Sequence, residues 1–89
     1  MFSAVHNYYE QMVYDQVLAY LSERGEGKNQ ELMEDVACIA LNLLPPRYVR
    51  HTIDLTMHIN DDDREKMLIQ VQQAVIKAAE LVKRRQHPR

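Results

Sequence analysis

The residues best equipped for chemistry lie in one short stretch, Arg47-Tyr48-Val49-Arg50, directly after Pro45-Pro46, with Thr52 and Asp54 following at alternate positions. Two guanidinium groups this close can fork onto an anion, and the tyrosine between them offers an aromatic face for stacking. Arg50, Thr52 and Asp54 are spaced by two, so an extended backbone carries them on one face. Arg47 and Arg50 fall on opposite faces of such a backbone, but a proline-led corner can turn both toward one ligand. Charge points the same way. Residues 1–46 hold two basic and seven acidic groups, a balance of −5, whereas residues 47–89 hold nine basic and six acidic groups, a balance of +3. Attraction for an anion therefore belongs to the second half.

Other groups carry weaker signals. Asn7 sits where it can cap the first helix or hydrogen-bond a ligand edge. Tyr14 and Tyr20 fall at helical spacing and read as core or dimer contacts. His6, His51, His58 and His87 show no i, i+4 histidine pair and no Cys-His spacing, so they read as surface histidines and no metal is assigned. Asp61-Asp62-Asp63 lacks the glycine and the distal glutamate of a calcium loop and fits a helix start better. Cys38, between Val36 and Ile39, reads as a small buried residue. No serine or cysteine nucleophile stands beside a base, and no glycine-rich phosphate cradle exists, so the expectation is a protein that is not an enzyme. Lys83, Arg84, Arg85 and Arg89 form a basic tail, but few phosphates would be neutralised and the pI is near 6.0, which argues against nucleic acid as the partner.

The elements that must position these residues follow from periodicity. Val5, Tyr9, Met12, Val13, Val17, Tyr20 and Leu21 recur at helical spacing and predict a first helix from about Val5 to Arg24, stopped by Gly25-Glu26-Gly27. A second helix is expected to start at Asn29 as N-cap and to run through Leu32, Val36, Ile39, Ala40 and Leu43. Pro45-Pro46 ends it and forces Leu44 onward to extend or turn. From Val49 to Ile59 apolar and polar residues alternate, which predicts a strand; Val49, Ile53 and Met57 also lie four apart, so a helix there stays open. Asn60 and the following aspartates then start a third helix, with Met67, Leu68, Val71, Val75, Ala78, Ala79 and Val82 as its stripe, about 25 residues or 37 Å long. The fold class expected is mainly α, a three-helix small domain with one short strand after the Pro-Pro corner.

With 89 residues, 46% of them hydrophobic and 27% charged, the chain reads as a single globular domain over 1–89. A domain this small hides only about 60–65% of its unfolded surface, so it gains from a partner. A strand without a second β segment in the chain invites pairing with the same strand of another subunit, and a homodimer is expected. The lone cysteine, the absence of a membrane-length apolar run and a start without signal-peptide character lead us to expect a cytoplasmic protein.

The stretch Ala40-Leu41-Asn42-Leu43-Leu44-Pro45-Pro46-Arg47-Tyr48-Val49, following Val5-His6-Asn7-Tyr8-Tyr9-Glu10, resembles the late competence development family, ComFB. The resemblance covers nearly the whole chain. It implies a dimeric, mainly helical bacterial receptor for cyclic dinucleotides, chiefly cyclic di-GMP, tied to competence, motility and biofilm behaviour. Some members hold zinc through a cysteine cluster; here Cys38 stands alone, so zinc is not carried over. On this reading Arg47 and Arg50 fork onto phosphate or guanine O6/N7, Tyr48 stacks on a base, the Asp54 carboxylate accepts from guanine N1 and N2, and Thr52 adds a hydroxyl. The ligand-binding set is therefore Arg47, Tyr48, Arg50, Thr52, Asp54 and Asn7, with no other cofactor. An unidentified protein partner reads the bound state. Two alternatives are a ligand-free protein-interaction module and, ranked below it, a DNA-binding regulator.

Overall fold

The computed structural model describes residues 4–50 and 59–86. In chain order the elements are β1 (His6–Asn7), α1 (Tyr9–Glu23), α2 (Gln30–Leu43), β2 (Tyr48–Val49) and α3 (Asp61–Gln86). The three helices pack against one another around one core.

Each helix buries most of the stripe expected of it; Leu43, expected on the stripe of α2, is instead exposed. Tyr9, Val13, Val17 and Leu21 line the inner face of α1, spaced by four so that they stack one turn above the next. α2 contributes Leu32, Met33, Val36 and Ala40. α3 contributes Met67, Val71, Ala74, Val75, Ala78, Ala79 and Val82. At the centre Val13, Val17, Val36, Val71 and Val75 are almost fully enclosed. Alanines at 40, 74, 78 and 79 let the helix axes come close without leaving voids.

The helix ends are built as their residues demand. Gly25 has φ +75°, a conformation costly for any residue with a Cβ. It allows the Gly25 N–H to reach the Ser22 carbonyl and the Glu26 N–H to reach the Leu21 carbonyl at 2.8 Å, the paired bonds of a Schellman stop. Gly27 is needed for space, since a Cβ there would run into Ser22. Asn29 caps α2 by accepting from the Leu32 N–H at 3.1 Å, and Asn60 caps α3 by accepting from the Asp63 N–H at 2.8 Å.

Three expectations need correction. The first helix begins at Tyr9 instead of Val5, because His6 and Asn7 are drawn into strand pairing; Val5 is 43% exposed. The chain does hold a second β segment, contrary to expectation: Tyr48–Val49 pairs antiparallel with His6–Asn7. Residues 51–58 of the predicted 49–59 strand lie outside the described residues; Ile59 is buried at the entry to α3. Finally, Cys38 is exposed. Two residues beyond Val36 is a rotation of roughly 200° about the helix, which carries the thiol away from the core.

Candidate functional site

The corner that carries Arg47, Tyr48 and Arg50 is made by three local events. α2 stops at Leu43, and Leu44 adopts an extended backbone, φ −97° and ψ 149°, as a residue before proline must. Its side chain is nevertheless buried, so the corner is pinned to the core at its first residue. Pro45 and Pro46 then lie exposed and carry the chain outward with few conformations to lose.

Pairing holds the far side of the corner. Asn7 lies opposite Tyr48 and His6 opposite Val49. The Tyr8 N–H donates to the Arg47 carbonyl at 2.7 Å and continues the attachment toward the prolines. Side chains alternate as a pleated backbone requires: Val49 turns inward against the core, while Tyr48 is 66% exposed. Arg47 and Arg50 are exposed too. Among the described residues no carboxylate forms an ion pair with either guanidinium.

Asn7 plays a different part from the other candidates. It is buried, and its Oδ1 accepts from the Tyr9 N–H at 3.0 Å, turning β1 into the first turn of α1. It caps the helix from one residue before the usual position; Tyr8, in that position, makes no side-chain cap. Tyr9 continues the chain of attachment, donating its hydroxyl to Gln70 Oε1 on α3 at 3.0 Å. The corner, the start of α1 and the middle of α3 are therefore linked.

The structure thus brings Arg47, Tyr48, Arg50 and Asn7 into one neighbourhood, the first three exposed and Asn7 buried opposite Tyr48. Thr52 and Asp54 lie outside the described residues, as do His51, His58 and His87. Of the two tyrosines read as packing residues, Tyr20 packs on the core and Tyr14 is half exposed.

Among the described residues two hollows flank the corner. One, about 340 Å³, lies along the β1–α1 junction against His6, Tyr8, Glu10 and Met12. The other, about 280 Å³, lies between Leu43, Pro45 and the outer face of α3, where Gln70, Gln73 and Lys77 line it. Lys77 adds a cation that the sequence reading did not single out. Its spacing from Gln70 and Gln73 marks one polar helix face, but nothing local to that face shows that α2 ends beside it. Among the described residues no group of three potential metal ligands comes together, and no helix is long and apolar enough to cross a membrane.

No curated protein and no solved structure matches the chain. The sequence pattern of one family does, over residues 6–86, from the first residue of β1 to the last of α3, and it spans the strand pair, the proline corner and all three helices. The chain belongs to the family described as late competence development protein ComFB.

Proposed function

We propose that this protein is a receptor for a cyclic dinucleotide, chiefly cyclic di-GMP, held at the Pro45-Pro46-Arg47-Tyr48-Val49-Arg50 corner. The observation that carries this reading is the combination of Arg47, Tyr48 and Arg50, all exposed, on a segment fixed at Leu44 and by the β1–β2 pair. Family membership supports a competence-related role. The chemistry fits the ligand class. Arginine forks onto phosphate or the O6/N7 edge of guanine, and tyrosine stacks on a base. Thr52 and Asp54 would complete the contacts, the carboxylate accepting from guanine N1 and N2.

As a receptor it transmits without catalysing. Nucleotide binding shifts a homodimer between arrangements, and a protein partner in competence, motility or biofilm control recognises one of them. A ligand-free interaction module is the second reading, supported by Leu18, Leu43, Ile69 and Ile76, each more than a third exposed. A DNA-binding role rests on little more than Lys83, Arg84 and Arg85 at the end of α3.

Thermal unfolding separates the readings. A receptor gains about 2.7 kcal/mol at ligand one hundred times above Kd, read as a rise in Tm with cyclic di-GMP and not with GTP. An unchanged Tm at millimolar nucleotide favours the interaction module.

A further inference from the structure

A further recess lies at the end of the bundle away from the proline corner. Tyr9 and Leu21 stand twelve residues apart on α1, roughly 18 Å along the helix axis, and the recess lies at the Leu21 end. Its floor is the end of the core itself, Leu21, Leu32, Val36 and Ala79, and Arg24 and Lys83 stand on its lining around about 200 Å³.

Arg24 is held in place there. Its guanidinium carbon lies 3.6 Å from the centroid of the Tyr20 ring, and Nη1 donates to the Tyr20 carbonyl at 3.0 Å. That bond uses one of five N–H donors. The Glu23 carboxylate approaches only to 3.9 Å and is itself largely in solvent, so it competes weakly. Glu26 also lines the recess. Among the lining side chains two cations and one carboxylate leave a single net positive charge above an apolar floor, with the Glu23 carboxylate outside the lining.

We propose that this recess binds a small monoanion with an apolar body, of the class of medium-chain or aromatic carboxylates. The apolar body covers the core end and displaces water from it, while the carboxylate accepts from Arg24 and Lys83. Glu26 disfavours more highly charged ligands such as nucleotides, which sets this site apart from the corner.

The test is an amide-resolved NMR titration of the full chain with octanoate, octan-1-ol and octylamine. Octanoate should give saturable shifts confined to residues 20–26, 32–36 and 79–83, with the alcohol and the amine weaker by about tenfold or more, the worth of a charge-assisted contact. Arg24→Gln and Lys83→Gln should each weaken octanoate by a similar factor, and Arg50→Ala should leave it unchanged. Equal binding of all three compounds, or octanoate shifts that fail to saturate or that centre on Ile69 and Ile76, would overturn the proposal.

Discussion

The helical core and the proline corner are held by different physics. The core rests on apolar stripes from three helices, with five valines at its centre nearly sealed from water. The corner rests on one buried leucine, two prolines, a two-residue strand pair and a single carbonyl bond from Tyr8. Removing core atoms costs both the transfer energy and a cavity. Removing an exposed corner side chain costs almost nothing in stability, because water already surrounds it. A region with so little riding on its side chains is free to use them for recognition, and the contrast teaches where folding and binding can be altered separately.

That separation can be broken or sharpened by substitution. The largest effect belongs to the core: Leu21→Ala should lower unfolding free energy by about 2–5 kcal/mol, measured by urea denaturation with a constant m-value. Next, Arg47→Ala or Arg50→Ala should weaken cyclic di-GMP by roughly 2–3 kcal/mol, while Tm in the absence of ligand stays within a degree or so of the parent; a collapse of Tm in these variants would merge the two regions.

Smaller effects probe the seam. Gly25→Ala should cost about 1–2 kcal/mol through its left-handed backbone and leave nucleotide affinity alone. Asn7→Ala removes the bond that starts α1 and should cost about 1 kcal/mol. Because Asn7 lies opposite Tyr48 in the strand pair, the same change should also weaken the nucleotide; unaltered affinity would restrict Asn7 to capping. Tyr9→Phe, which deletes only the hydroxyl bond to Gln70, should cost about 0.5–1 kcal/mol and is the smallest change expected.

The helices were readable because burial repeats every three or four residues over two turns or more, and their stops and caps at Gly25, Asn29 and Asn60 act through bonds within a few residues. The corner was readable as chemistry but only half as structure. A strand of two residues has no periodicity to display, so nothing in His6–Asn7 announces that it pairs with Tyr48–Val49 forty residues away. That hidden pairing also explains why α1 starts late and why Val5 stands in solvent. Cys38 misled because it has apolar sequence neighbours; on a helix, residues one and two apart face different directions. Lys77 was missed for a related reason, since its nearness to Pro45 depends on how α2 and α3 pack.

The central claim is that the corner holds the nucleotide independently of the core. Calorimetric titration of the parent and of an Arg47→Ala/Arg50→Ala variant with cyclic di-GMP, beside cyclic di-AMP and GTP, tests it most directly. The account predicts saturable binding by the parent at micromolar concentration or below, selective for cyclic di-GMP, and its loss in a variant that unfolds at the parent's temperature. Binding of equal strength in both proteins, or no heat from a folded parent with any of the three nucleotides, would contradict it.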